Sequence, residues 1–210
     1  MSLVLTILPL CATLTFAEGL KPVQLLKPQI DRGRPLMQVL KDRSSSRSFR
    51  TEKLPIQVLS NLLWAAFGVN RADIGKRTAP SAMSWQEVDI YVAMAEGLYQ
   101  YDAKDHILKP ILPDDIRGLT GRQEFVKEAP VNLIYVADFS RMGTAAKEDK
   151  DLYSAADTGF ISQNVYLYCA SEGLATVARG SIDRQTLSKV MRLRPDQKVI
   201  LAQSVGYPKK

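Results

Sequence analysis

The sequence predicts an α+β fold with one substantial core, or at most two small domains. Three observations support this prediction. Hydrophobic residues make up 46% and charged residues 24% of the 210 residues, which are ordinary proportions for a globular protein. Segments with helical periodicity are interleaved with only a few strand-like segments. Two of those strands are separated by the tight turn Glu96-Gly97, so we expect them to pair as a hairpin.

An apolar leader precedes the predicted fold, because no charged residue occurs from Ser2 to Ala17. We interpret residues 1–17 as an export signal that is cleaved after Ala17, which would place the protein in the periplasm or outside the cell. The usual Lys or Arg before the apolar run is missing, and a leader that is not a signal would leave the protein in the cytoplasm. The run is also too short and too interrupted for a membrane span. Residues 18–34 are expected to form an extended arm, and residues 35–210 the domain itself.

Two helices are predicted in the first third of the chain. The first opens at Pro35 and carries an apolar stripe up to Arg43. The second starts at Leu54-Pro55, where proline suits the first turn, and it ends at Gly68. Its broad apolar face indicates a core helix, to which we assign no chemistry.

Strands are predicted from alternation and from β-branched content. Residues 88–94 alternate as in a half-buried strand, and residues 98–101 return as the hairpin partner. Residues 131–137 are predicted to be a buried strand. A short extended segment over 174–181 and a last strand over 199–205 complete the prediction.

A third helix is expected to begin at Ser154-Ala155-Ala156-Asp157, which resembles a capping box. The stretch before it, residues 141–150, is polar and predicted to be mobile. The helix should end at Gly173, and Cys169 falls on its apolar face, so this cysteine is expected to be a core residue and not a nucleophile. A short amphipathic helix is predicted over 183–191.

The formal net charge of +6 favours an anionic partner. The basic residues are scattered and form no stripe, so a small anionic ligand is expected and nucleic acid is not. The single histidine, His106, argues against a histidine metal site or a Ser-His-Asp triad, and its surroundings predict a solvated turn. Cys11 and Cys169 have no metal-like spacing around them.

The run Arg43-Ser44-Ser45-Ser46-Arg47-Ser48-Phe49 is the strongest candidate for a binding segment. A guanidinium offers a planar fork of donors that matches a phosphate, and serine hydroxyls add neutral hydrogen bonds. The run would then cradle a phosphorylated small molecule. Taken alone, it fits a solvated and flexible turn better. Because it lies just past the C-terminus of a helix, whose dipole repels anions, side chains must hold any phosphate.

Four stretches together resemble the nitroreductase family of FMN-dependent oxidoreductases, from about Pro35 to the C-terminus. They are Arg43-x-Ser45-x-Arg47-x-Phe49, Pro80-Ser81-Ala82 with Gln86, Asp157 through Gly180, and Val205-Gly206-Tyr207-Pro208. The hairpin after Gly97 is more similar to the SagB-type (azoline-oxidising) dehydrogenase branch than to short bacterial nitroreductases. The resemblance implies a central, mostly antiparallel sheet flanked by helices, and a homodimer with FMN at the subunit interface.

The resemblance also implies which residues hold FMN. Arg43 and Arg47, with help from Ser45, would contact the phosphate or the ribityl chain. The Pro80-Ser81-Ala82 step would line the flavin from the other subunit, and the Gly180 amide would donate towards the flavin N5. The further contacts that the resemblance implies are Ser84, Gln86, Arg122, Gln123, Ala178, Arg179, Ser181 and Lys209.

Some positions depart from the family pattern. Many members carry Asn where Ser84 stands, so that contact would be weakened or mediated by water. Arg122 or Gln123 would supply the positive field that favours an anionic reduced flavin. Lys209 and Lys210 would be what remains of a basic C-terminal tail that binds the phosphate.

The implied reaction needs no catalytic triad, because the flavin carries the chemistry. NADH or NADPH would deliver hydride to N5, and a small oxidant such as a nitroaromatic or a quinone would then bind the same face. One alternative is dehydrogenation of an azoline ring in a modified peptide, for which the family supplies a Lys-Tyr pair that has no convincing match here. Another alternative is a flavin-binding protein without catalysis.

Overall fold

The structure is a computed structural model that describes residues 19–209. The predicted export signal over 1–17, Cys11 and Lys210 lie outside the described residues. Between residues 19 and 209, no helix combines the length and the hydropathy that crossing a bilayer requires.

A seven-stranded sheet forms the centre of the fold, and all its neighbouring strands are antiparallel. Its strands are β1 (Val23–Gln24), β4 (Val88–Met94), β5 (Gly97–Asp102), β6 (Ile107–Leu112), β7 (Val131–Asp138), β8 (Ala175–Arg179) and β9 (Gln197–Gly206). Their spatial order is β1-β6-β5-β4-β7-β9-β8, which leaves β8 at one edge. Two short strands, β2 (Val69–Arg71) and β3 (Lys76–Arg77), form a separate ribbon. The predicted α+β class and antiparallel sheet are confirmed.

Four α-helices accompany the sheet within the described residues. They are α1 (Leu36–Asp42), α2 (Ile56–Phe67), α3 (Lys147–Glu172) and α4 (Arg184–Val190). The predicted limits of α2 are confirmed, with Pro55 before its first residue and Gly68 after its last. The structure also confirms that Cys169 is a buried core residue.

The predicted start of the third helix is wrong. Helix α3 begins at Lys147, so Ser154 and Asp157 lie inside it and are buried. Glu148 and Asp149 in its first turn complement the helix dipole, which favours the earlier start. The stretch predicted to be mobile therefore begins within a short 3-10 turn, Phe139–Met142, and ends in the first turn of α3.

Both faces of the sheet are covered, so β4 is more deeply buried than its alternation predicted. Val88, Ile90 and Val92 pack in a cluster with the buried residues of α2 and α3. Tyr91 and Ala93, on the other face, pack in a second cluster with Leu187 of α4. Every residue of β7 is buried, as expected of a strand that is apolar on both faces. This buried frame fixes the ends of the strands, where the polar loops gather.

Strand β6 is an element that the sequence pattern did not reveal. It contains Pro110, which cannot donate to a ladder and interrupts the strand pattern. His106 in the turn before β6 is held in place: Nε2 lies 3.0 Å from the Leu26 carbonyl oxygen and Nδ1 lies 3.0 Å from the Tyr101 hydroxyl. Burial lowers the pKa of His106. The predicted turn is present, but the histidine in it is half-buried and fastens the arm to the sheet.

Candidate cofactor site

The 43–49 segment lies along the edge strand β8. The Ser46 N–H donates to the Thr176 carbonyl at 2.9 Å, which ties the middle of the segment to the strand. Phe49 is 1% exposed and closes the segment by packing on Phe125, with the two ring centroids 5.9 Å apart. The segment is thus anchored through its backbone and its aromatic end, while Arg47 remains exposed. These contacts argue against a flexible turn.

Tyr166 of α3 joins the segment to β8. Its hydroxyl oxygen accepts the Ala178 N–H at 2.9 Å, which leaves its proton for the Ser45 Oγ, also at 2.9 Å. The Arg43 guanidinium lies 5.2 Å from the centroid of the Tyr166 ring, a cation–π distance. Sequence reasoning missed Tyr166, because an aromatic residue in a helical stripe is typical of a core position. The tyrosine orders both Arg43 and Ser45.

Three cations gather at this edge without a carboxylate partner. The end of the chain returns to the segment. There the Arg50 N–H donates to the Tyr207 carbonyl at 2.9 Å, and the Lys209 N–H donates to the Ser48 carbonyl at 3.3 Å. Among residues 19–209, no acidic side chain forms a salt bridge with Arg43, Arg47 or Lys209. Uncompensated positive charge of this kind attracts an anion such as a phosphate.

The backbone beyond β8 is open to a ligand. Gly180 and Ser181 are exposed, and a Cβ built on Gly180 would meet only Leu201, at 3.6 Å. Ala178, just before them, is half-buried. The Arg122 N–H donates to the Ser181 carbonyl at 3.1 Å, which brings the exposed Arg122 to the same loop. A flat molecule can therefore approach the main chain here.

The side chain of Arg179 points into the protein. Its guanidinium donates to the Thr120 carbonyl at 2.7 Å and to the Asn132 Oδ1 at 2.8 Å, and burial lowers its pKa to about 10. Within residues 19–209, its Nε has no hydrogen-bond partner, and neither has the buried Oε1 of Gln123. Gly121 is required beside it, because a Cβ there would lie 2.0 Å from the Arg179 Nη1. Only the backbone of Arg179 remains for a ligand.

The second predicted segment, the 80–86 loop, has a strained backbone. It contains the 3-10 turn Ala82–Ser84, and Met83, Ser84 and Gln86 have positive φ angles of 49°, 58° and 48°. Such angles are costly for residues other than glycine unless the surroundings enforce them. The Arg77 Nε donates to the Gln86 Oε1 at 2.7 Å, and Lys76 bonds the Ser84 hydroxyl.

Two buried carboxyl groups, those of Glu87 and Asp157, accept hydrogen bonds from the 80–86 loop. Glu87 is fully buried and Asp157 is 3% exposed. The Asp157 carboxylate accepts the Ala82 N–H at 2.8 Å, and the Ser81 hydroxyl donates to Glu87 at 3.2 Å. Burial, together with the nearby charge of Asp157, raises the pKa of Glu87. The sequence analysis did not identify Glu87, although an acidic residue at the start of an apolar strand is unusual enough to mark a candidate site.

Replacing Glu87 by Gln is therefore expected to stabilise the protein in a pH-dependent way. Since the folded-state pKa of Glu87 lies above its ordinary value of 4.5, its contribution to stability is complete below that value and is lost as the pH rises through the folded pKa. The free energy of unfolding of Glu87→Gln, relative to wild type, should increase between about pH 4 and pH 7. Urea titrations across this range measure it, with the exposed Glu124→Gln as the control. A difference that stays constant with pH would contradict the assignment.

One chain does not bring the two segments together. Asp157, which holds the 80–86 loop, and Tyr166, which holds the 43–49 segment, are nine residues apart on α3. At 1.5 Å and 100° per residue they are separated by about 13 Å along the axis and by about half a turn around it. Residues 43–47, 178–181 and Lys209 therefore form one group, and the 80–86 loop lies on the opposite side of the helix.

Comparison with known proteins identifies relatives of the chain. The profile described as "Nitroreductase family" matches residues 40–207. A protein of Methanocaldococcus jannaschii, provisionally named a nitroreductase, is 30% identical over 76% of this chain and 85% of its own length. A crystal structure from Ralstonia eutropha, also provisionally named a nitroreductase, is 42% identical with a TM-score of 0.87 and 90% coverage of both chains. The NADPH:FMN oxidoreductase of Vibrio harveyi shares the fold, with 19% identity, a TM-score of 0.64 and coverage of 83% and 69%.

Proposed function

Because the chain belongs to the nitroreductase family and is therefore an oxidoreductase, we propose that it uses FMN to pass hydride from NADH or NADPH to a small oxidant such as a nitroaromatic or a quinone. The observation that carries the proposal is that Arg43, Arg47 and Lys209, which have no acidic partner within residues 19–209, lie along the same edge of the sheet as β8, whose far end leads to the open backbone at Gly180. A phosphate fits the cations, and a flat ring fits the open backbone. Bound FMN would supply the hydride chemistry at its N5.

The residues of this chain would hold and orient the cofactor. Arg43 and Arg47 would bind the phosphate with their side chains, and Tyr166 keeps Arg43 and Ser45 in place for that contact. The backbone from Ala178 to Ser181 would run along the ring, with the Gly180 amide available as a donor. Arg122, exposed beside Ser181, would place positive charge where a reduced and anionic ring is stabilised.

We propose that the site is completed by a second copy of the chain. The outer face of α3 carries large apolar side chains in exposed positions: Leu152, Tyr153 and Phe160 are 62%, 40% and 48% exposed. Ala156 and Gly159 are also exposed on this face, and their small side chains permit close helix contact. Helical periodicity places this face between the Asp157 side and the Tyr166 side of the helix. Pairing through it would bring the 80–86 loop of one copy towards the 43–49 segment of the other.

Steady-state kinetics tests the reaction. The full-length protein is saturated with FMN, and the oxidation of NADH and of NADPH is followed with a quinone and with a nitroaromatic as the oxidant. Because both substrates would use the same face of the ring in turn, plots at several oxidant concentrations should give parallel lines. Intersecting lines would contradict the alternating scheme. A protein that binds no added FMN would contradict the whole proposal.

A further inference from the structure

A separate cavity of about 330 Å³ lies beside residues 51–56, which follow the 43–49 segment and lead into α2. It is bounded by the N-terminus of α2, the turn between β4 and β5, and the start of β7. None of the residues assigned to the cofactor lines it. Leu59, Met94 and Val131 provide apolar walls, so the interior favours an apolar group.

The polar groups of this cavity favour an anion. Lys53, Arg117 and Lys127 line it, and Glu96 is the one acid among the described residues that does so. Glu96 is paired with Lys53, and Arg117 is paired with Asp115 at 2.7 Å. Within the described range, Lys127 has no acidic partner, so it is the cation that remains for a ligand.

Two further donors are available in the same place. Tyr99 is 4% exposed and lines the cavity, and its hydroxyl makes no hydrogen bond with any residue from 19 to 209. Helix α2 starts at this wall with Pro55 as its N-cap, and no side chain caps its first N–H groups. Those N–H groups carry partial positive charge. An unpaired phenol hydroxyl and the free N–H groups at the start of a helix can both donate to a carboxylate.

We propose that this cavity binds a monocarboxylate with an apolar body, of the size of a medium-chain fatty acid or a phenylpropanoate. The carboxylate would be held by the Lys127 ammonium, the Tyr99 hydroxyl and the first turn of α2. The body would lie against Leu59, Met94 and Val131. This site does not depend on the proposed FMN site, because the two share no residue.

Calorimetric titration of the full-length chain with octanoate tests the proposal. We expect saturable binding of one octanoate per chain, and at least about fivefold weaker binding of 1-octanol, which lacks the charge. Lys127→Gln should weaken octanoate binding at least about tenfold, because it removes a charge-assisted contact. Tyr99→Phe should weaken it about threefold through the loss of a neutral hydrogen bond. The matched control Lys189→Gln removes an exposed cation from α4 and should leave the affinity unchanged.

Three results would overturn the proposal: no octanoate binding at millimolar concentration, equal binding of octanoate and octanol, or equal binding by wild type and Lys127→Gln. Met94→Trp provides an independent check, because the larger side chain would fill the cavity from one wall. Octanoate binding should be lost in this variant while its circular dichroism spectrum matches wild type. Competition between octanoate and FMN would show that the sites are not separate.

Discussion

Replacing Arg43 and Arg47 together by alanine is expected to weaken FMN binding more than about a hundredfold, since each charge-assisted contact to a phosphate contributes about 1.5–3 kcal/mol. The two side chains have no acidic partner within the described residues, so their removal leaves no buried charge behind. The free energy of unfolding should change by less than about 1 kcal/mol. Quenching of flavin fluorescence measures the affinity, and urea titration measures the stability.

The matched control for the arginine pair is the double variant Arg32→Ala, Lys189→Ala. It removes the same amount of charge from two exposed positions outside the proposed site. Its FMN affinity should equal that of wild type at the same salt concentration. If both double variants lost affinity equally, the general field of a basic protein would account for binding, and the 43–49 segment would not be the phosphate site.

Replacing Phe160 by Asp is expected to separate the two copies and to abolish FMN binding at micromolar protein. Phe160 is 48% exposed on the apolar face of α3, and a two-fold interface would contain it twice. Each dimer would then have to bury two carboxylates, at a cost of several kcal/mol per ion. Sedimentation velocity at 450 nm and 280 nm follows the flavin and the protein in one experiment, and should show a colourless monomer.

Leu119→Asp controls for the charge, because it introduces the same carboxylate at another large apolar residue, 42% exposed, away from α3. It should sediment as the dimer. A Phe160→Asp protein that still sediments as a yellow dimer would show that α3 is not the interface.

The sequence predicted those parts of the fold in which the local residue types favour a single secondary structure. Pro55 and Gly68 bracket α2 because proline suits a first helical turn and glycine readily ends a helix. Strand β7 was predicted because six of the seven residues from 131 to 137 are apolar or β-branched, and only Asn132 interrupts the run. These signals are local, so tertiary contacts did not override them.

The parts that the sequence did not predict depend on contacts between distant residues. Asp157 and Ser154 look like a cap in sequence, but the buried Asp157 instead accepts a hydrogen bond from Ala82, 75 residues away. Tyr166 is indistinguishable from a core aromatic until its hydroxyl is placed between Ser45 and Ala178. The 43–49 arginines were predicted from the pattern, whereas the residues that position them became visible only in the fold.

A mixed dimer gives the most direct test of a site shared between two chains. Arg47→Ala would damage the 43–49 segment, and Pro80→Trp would block the exposed start of the 80–86 loop, so each homodimer should bind little FMN. A dimer with one copy of each variant would combine both defects in one site and leave the other site intact. We expect one FMN per mixed dimer, when the mixed dimer is purified with two affinity tags. If the mixed dimer bound no FMN, each site would be formed within one chain, and the account would be contradicted.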